Sequence, residues 1–339
     1  MRMRATLATP AVAAIFEVGN NNLQTEAAMK TITGVRVHDR NGGYLCAELS
    51  KQFPDLKLST TASEVDPAEA ALITFEPPKD ENIGRYVWIH STGAGVDAIL
   101  RALSHAGEQQ SPVVTRTLGS LGQQIAEYCL CYALAFLQNV ATRAHVQGAK
   151  IWDRNLAAPS YLFSKKVVVI GTGHIGQRIA EAFSPLAREV HGIATANKSL
   201  KPFQTVTKLA HAAEVLRGAD VVILALPNTD KTVHLFNRQL LASLNGALII
   251  NVGRGSTLCP GSLRMALDSG SVAHAVLDVF ESEPLALDSW LWRHPAVTVT
   301  PHVAGLTQPQ DAVHAFSQQL NQLLQTGELQ STVDSERGY

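Results

Sequence analysis

Several features that mark common protein classes are scarce or missing in this chain. Its 339 residues include only four cysteines, Cys46, Cys129, Cys131 and Cys259. They are scattered and form no CxxC pair, so neither a disulfide framework nor a thiolate metal site is indicated. Cys129 and Cys131 fall in the apolar helical segment "AEYCLCYALAF", where small buried thiols are the ordinary reading. Such sparse cysteine usage fits a reducing cytoplasm. No apolar run reaches the roughly 18 residues of a membrane span, so no membrane association is expected. An excess of either charge is missing too: 28 Lys and Arg stand against 29 Asp and Glu, a net charge of −1. The cations do not cluster, which argues against a nucleic-acid track or an anionic membrane surface. Internal repeats and low-complexity tracts are also absent.

Apolar material, by contrast, is ample. Hydrophobic residues make up 46% of the chain, enough for two cores, and the length suits two domains. The N-terminal "MRMRATLATPAVAAIFEVG" has two early Arg and a short apolar stretch. Pro10 interrupts that stretch and the cleavage signal is poor, so residues 1–30 read as a loose tail, or as the product of an upstream start codon, rather than a signal peptide. Domain-like sequence begins near Thr31.

From about residue 166 the pattern is regular. "KVVVIG" is a short continuous apolar run of the kind found in buried parallel strands. "GQRIAEAFSPLA" has helical spacing. "EVHGIA", "ADVVILALP", "GALIINVG", "HAVLDVF" and "AVTVTP" are further strands, with helix-like "SLRMALDSG" among them. Strands alternating with helices predict an α/β fold with a doubly wound parallel sheet. Residues 31–118 contain "VRVHD", "LKLST", "AALITF" and "YVWIHST", a second and smaller α/β unit. The helix "DAVHAFSQQLNQLLQTGE" after Pro309 is expected to pack back on it. We therefore expect a discontinuous substrate domain, 31–118 with 306–339, and a dinucleotide-binding domain, 119–305, inserted into it.

"VVVIGTGHIGQRIA" places Gly171, Gly173 and Gly176 in G-x-G-x-x-G spacing between a strand and a helix, the context that gives this pattern meaning. Gly171 would allow the tight turn, Gly173 the approach of a pyrophosphate, and Gly176 close helix packing. Amides of His174 and Ile175 would then hold the phosphate at the helix start. An NAD site normally has an acidic residue at the end of the second strand, to hold the ribose hydroxyls. Here that position is Ala194, followed by Thr195, Asn197 and Lys198. A carboxylate would repel a 2′-phosphate, so its absence beside a hydroxyl and a cation favours NADPH, with NADH the alternative.

Three later strand ends carry the remaining candidates. "NVGRGS" presents Arg254 between glycines, which would let its backbone turn sharply toward a ligand. Its guanidinium can fork onto a carboxylate and a carbonyl oxygen. "LDVFESEP" carries Asp278, Glu281 and Glu283. "VTVTPHVAG" ends a strand on His302. A lone His is more often structural, but a carboxylate beside an imidazole favours the charged ring and holds one tautomer. His302 with Glu283 then reads as a proton donor.

Taken in order, "STGAGVD", "GTGHIGQRIA", "LALPNTDKTVHLFN", "INVGRGS", "LDVFESEPL" and "TPHVAG" resemble the D-isomer-specific 2-hydroxyacid dehydrogenases, from about residue 88 to the end. The resemblance implies a Rossmann-type domain inserted into a flavodoxin-like substrate domain. It implies catalytic Arg254, Glu283 and His302, and a nicotinamide contact at Asp278. Leu226, Pro227, Val252 and Gly253, at the strand ends after the glycine loop, are assigned to the cofactor with Thr195 and Lys198. Ala94 and Gly95 would offer amides to the substrate carboxylate. Trp152, in "AKIWDR", either walls the substrate pocket or packs after the "YALAF" helix. Within the family the chain is most similar to the NADPH-preferring reductases of glyoxylate and hydroxypyruvate. A homodimer is implied, with the "IAEYCLCYALAF" helix at its interface, and no metal. Two other readings stay open: an NADH-dependent dehydrogenase of another D-2-hydroxy acid, and a nicotinamide-sensing binding protein on the same fold.

Overall fold

The computed structural model describes residues 32–105 and 112–334. The segment read as a tail, 1–30, lies outside the described residues. Two compact units make up the chain, one from the residues before Ser120 together with those after Leu306, the other Ser120–Leu306.

In the first unit the strands are β1 (Gly34–His38), β2 (Lys57–Ser59), β3 (Ala70–Thr74), β4 (Trp88–Ser91) and β5 (Val113–Arg116). All pair in parallel, in the order β2-β1-β3-β4-β5, the flavodoxin-like arrangement. Because side chains alternate across a strand, each strand feeds two cores. Val35, Val37, Ala71, Ile73 and Trp88 pack with Leu45 and Leu49 of helix Gly42–Gln52 and with Phe316 and Leu320 of helix Pro309–Thr326. Ala70, Leu72 and Ile89 face the other way, against Ile99 of helix Asp97–Ser104. The indole of Trp88 stacks on Phe316, centroids 4.6 Å apart, which pins the C-terminal helix to this unit.

Within this core lies a fully buried imidazole. His90 Nδ1 is 2.7 Å from Thr115 Oγ1 and its Nε2 is 3.0 Å from Thr117 Oγ1. Burial pushes its pKa down to about 3. An unfolded histidine takes up a proton below roughly pH 6.5, whereas this ring does not until near pH 3. The unfolded state therefore binds more protons in that window, and stability falls as pH drops through it, by up to about 1.4 kcal/mol per pH unit. Urea denaturation at pH 7, 6, 5 and 4 should show this decline, and His90→Gln should make it shallower. Equal slopes for the two proteins would refute the assignment.

The second unit has seven parallel strands: β6 (Lys166–Ile170), β7 (Glu189–Ala194), β8 (Thr205–Lys208), β9 (Val221–Leu224), β10 (Ala247–Asn251), β11 (Val272–Leu277) and β12 (Val297–Val299). Their order is β12-β11-β10-β9-β6-β7-β8, so strand order reverses between β6 and β9. Central β6 shows why an unbroken apolar run folds here: Val167 and Val169 enter one core with helices Leu121–Leu137 and His174–Phe183, and Val168 and Ile170 enter the other with Leu216 and Leu263. This is the doubly wound Rossmann-type sheet expected from the sequence, and its residues fall in the chain between the two segments of the flavodoxin-like unit. β5 and β8 were not anticipated. Both are edge strands, and "VVTR" and "TVTK" are short and half polar. Among the described residues no helix is long and apolar enough to cross a membrane.

Candidate active site

A doubly wound sheet offers its ligands a crevice beyond the carboxyl ends of its strands, at the point of reversal. The glycine loop sits there, directly after β6. Gly171 has φ +97, and a Cβ on it would lie 2.5 Å from the Ala225 carbonyl oxygen. A Cβ on Gly176 would lie 1.9 Å from the Gly171 oxygen, so this glycine lets the helix close on the turn itself. Around Gly173 the space is open. Gly173 caps helix His174–Phe183 in an extended conformation, and its oxygen accepts from Gln177 N at 2.9 Å. His174 and Ile175 form the first turn, whose N–H groups point out of the helix end. A side chain at 173 would fill the space an anion needs to reach them, so the loop fits a pyrophosphate.

Ala194 is the last residue of β7, with no carboxylate at that strand end. Thr195 and Lys198 follow it, both exposed. Their loop is tied to β8: Lys208 N donates to Asn197 Oδ1 at 2.7 Å and Lys198 N to the Val206 oxygen at 3.4 Å. Leu226 and Pro227, half-buried, follow β9, and buried Val252 and Gly253 follow β10. A Cβ on Gly253 would lie 2.6 Å from the Leu226 oxygen, so these two strand ends touch through their backbones.

Arg254 is next, extended and half-buried, with Nη1 donating to the Gly253 oxygen at 2.8 Å. Its flanking glycines were expected to permit a sharp turn, and the structure corrects that reason. Neither has a positive φ. Instead, a Cβ on Gly255 would lie 1.9 Å from the Phe280 carbonyl carbon, so the glycine lets the Arg254 loop lie against the loop after β11. Buried Asn251 shapes the turn from below: its Oδ1 accepts from Gly253 N (3.2 Å) and its Nδ2 donates to the Arg254 oxygen (3.1 Å).

The loop after β11 carries Glu283. One of its oxygens accepts from Phe280 N at 2.9 Å, and the other is 2.8 Å from His302 Nδ1. The imidazole is about half exposed, at 49%. With Nδ1 turned to the carboxylate, Nε2 is the nitrogen left for other partners. Asp278, only 1% exposed, accepts at Oδ1 from Val303 N and at Oδ2 from Ala304 N, each at 2.9 Å. A carboxylate has about four acceptor positions, so room remains for a further donor. Glu281 points elsewhere, to His234 Nε2 at 2.5 Å.

In the first unit, the turn after β4 holds Ala94 and Gly95, both half-buried. Ser91 Oγ donates to the Gly95 oxygen at 2.9 Å and accepts from Gly93 N at 3.2 Å, so the strand end itself braces the turn. Trp152 requires a correction. The residue is 93% exposed, so it does not pack after the helix as one reading expected. It lines a surface depression with Arg143, Ile151 and Arg154, a lining that includes none of Arg254, Glu283 and His302. The chain leaves helix Val140–Gly148 through Lys150 at φ +55 and continues as exposed loop, which turns the indole outward.

A parallel sheet with a glycine cradle at a helix N-terminus defines a dinucleotide-binding α/β protein. Residues 130–304 match the profile of the D-isomer specific 2-hydroxyacid dehydrogenase, NAD binding domain. A curated relative, glyoxylate/hydroxypyruvate reductase A of Klebsiella pneumoniae subsp. pneumoniae, is 31% identical over 303 residues, covering 87% of this chain and 96% of the relative. A solved D-isomer specific 2-hydroxyacid dehydrogenase from Xanthobacter autotrophicus Py2, in complex with NADPH and MES, superposes with a TM-score of 0.79 at 27% identity, covering 91% of this chain and all of that one. A family protein from Aeromonas salmonicida subsp. salmonicida A449 gives 0.77 at 27%, covering 90% of this chain and all of that one. The chain belongs to the D-isomer specific 2-hydroxyacid dehydrogenase family. It is thus an NAD(P)-dependent oxidoreductase acting on 2-hydroxy acids, and the resemblance read from its motifs holds.

Proposed function

We propose that the protein reduces small 2-oxo acids with NADPH, glyoxylate to glycolate and hydroxypyruvate to D-glycerate, with His302 as proton donor. The observation that carries this reading is Glu283 bonded at once to Phe280 N and to His302 Nδ1. That arrangement fixes the ring and leaves Nε2 to hold the proton a carbonyl oxygen must receive. NADPH, when bound, supplies the hydride that goes to the carbonyl carbon. Arg254 grips the substrate carboxylate and polarises the carbonyl oxygen. Ala94 and Gly95 present main-chain amides to a carboxylate. Gly171, Gly173, His174, Ile175 and Gly176 cradle the pyrophosphate, while Leu226, Pro227, Val252, Gly253 and Asp278 line the rest of the cofactor's path. The NADPH in the Xanthobacter structure and the name of the Klebsiella relative support the choice of cofactor and substrates.

The reading includes a homodimer. Exposed Val140, Ile151, Trp152, Leu156, Tyr161 and Phe163 fall within one short stretch of chain and suit burial against a second copy. The four cysteines are all free, which supports a reducing compartment such as the cytoplasm.

Steady-state oxidation of NADPH and of NADH with glyoxylate, hydroxypyruvate and pyruvate tests the proposal. Turnover of the first two oxo acids with NADPH is expected. A preference for NADH with a bulkier oxo acid would overturn the substrate and cofactor assignment. Ala194→Asp should shift the kcat/KM ratio toward NADH by about tenfold or more, because its carboxylate can hold the ribose hydroxyls and repels the 2′-phosphate. An unchanged ratio would mean that the 2′-phosphate is held elsewhere.

A further inference from the structure

His302 stands on a backbone that few residues adopt, with φ +55. A non-glycine residue in the left-handed region is held there only when its surroundings impose it. Here they do, and most of the bonds come from one residue. His302 N is shared between the main-chain oxygens of Asp278 (2.9 Å) and Thr300 (3.1 Å), and the two following amides donate one to each Asp278 carboxylate oxygen. Asp278 therefore grips three consecutive residues of the loop.

The carboxylate is itself held from the side. Thr300 Oγ1 donates to Asp278 Oδ1 at 2.6 Å. Tyr128 Oη lies 2.6 Å from the same Thr300 oxygen, 172 residues away in sequence. A hydroxyl has one proton, and that of Thr300 is committed to Asp278, so the proton between the two hydroxyls comes from Tyr128. Burial pushes the Tyr128 phenol up, which keeps it a donor at any working pH. Tyr128 belongs to helix Leu121–Leu137, which packs on the helix of the glycine loop. The chain of bonds thus runs from a packed helix to the loop of the candidate proton donor.

We propose that Tyr128 is a positioning residue that acts through Thr300 and Asp278 to hold His302 in register. The inference rests on the catalytic role given to His302 above. It differs from a stability role because the bonds are in series: once Thr300 is lost, Tyr128 has nothing left to transmit.

The test is a double-mutant cycle of Tyr128→Phe and Thr300→Val in the full chain, with kcat and the 2-oxo acid KM measured for each variant. Thr300→Val should lower kcat by about tenfold to a hundredfold, the scale of a misplacement near 1 Å. Tyr128→Phe should lower it by about three- to tenfold, with KM nearly unchanged because Arg254 is untouched. The double variant should match Thr300→Val alone, since effects in one network do not add. Hydrogen exchange at the Val303 and Ala304 amides, read by mass spectrometry, should speed up in both single variants. Wild-type kcat in Thr300→Val, or an equal loss from Tyr128→Phe in both backgrounds, would overturn the proposal. If the wild type turns over no 2-oxo acid, the reductase reading fails instead. Exchange then judges the clamp alone, and unchanged protection would overturn it.

Discussion

His302→Ala should lower kcat for 2-oxo acid reduction by about 10³-fold, roughly 4 kcal/mol of barrier. The alkoxide that would form on the carbonyl oxygen needs a proton as it develops, and Nε2 is the ring nitrogen not engaged with Glu283. Removing the ring leaves water as the donor and leaves Glu283 without its partner. Backbone strain is a competing explanation for such a loss, because φ at this residue is +55. His302→Asn separates the two, since asparagine tolerates the left-handed region better than most residues. Both variants should lose the same activity while keeping their affinity for NADPH, read by quenching or transfer of protein fluorescence. A kcat within about tenfold of wild type in either one would remove His302 from the mechanism.

Gly255→Ala is expected to be nearly as damaging, although it touches no substrate. Its added carbon would sit 1.9 Å from the carbonyl carbon of Phe280, 2.3 Å from the Phe280 Cα and 2.4 Å from Glu281 N. All three neighbours are backbone, so no side chain can swing away to make room. The Arg254 loop and the loop bearing Glu283 must separate, by about 1 Å or more. Overpacking of this kind costs about 1–3 kcal/mol of stability. A separation of that size costs about 10²-fold in rate where two loops must aim at one ligand. The measurements are a thermal melt and kcat/KM, and the expected result is a folded protein with a lowered melting temperature and a large loss of kcat/KM. Wild-type kinetics would show that the contact between the two loops does not set the geometry of the site.

Both predictions concern the same small region, yet they differ in how much of their basis the sequence could supply. The imidazole was visible as a residue presented at the end of "VTVTP", and Glu283 as one of the carboxylates in "LDVFESEP". The glycines beside Arg254 were visible too, but their purpose was misread. Sequence alone cannot distinguish a glycine needed for its backbone angle from one needed for a close approach. Trp152 was harder still, because an indole after a helix looks the same in sequence whether it packs, lines a pocket or faces water. The structure leaves it 93% exposed.

The strands show a similar division. β6, β9 and β10 are buried on both faces, so each had to be a nearly unbroken run of Val, Ile and Leu, and such runs are legible. β5 and β8 lie at sheet edges, where half the side chains can be polar and the apolar signal fades. Tyr128 went unnoticed for a related reason. Within "AEYCLCYALAF" it read as one more apolar position of a helix, and its partner Thr300 is 172 residues away.

The sequence by itself determined the α/β class, the doubly wound order of strands and helices, the glycine loop and the missing acid at Ala194. Each is written in local spacing and residue type, because burial on two faces and approach to a phosphate demand particular residues at adjacent positions. Only the tertiary structure decided the left-handed backbone of His302, the grip of Asp278 upon it, the reach of Tyr128 to Thr300 and the backbone contact at Gly255. Those depend on hydrogen bonds and clearances between segments distant in the chain, where a difference of an ångström decides the outcome and leaves no periodic trace in sequence.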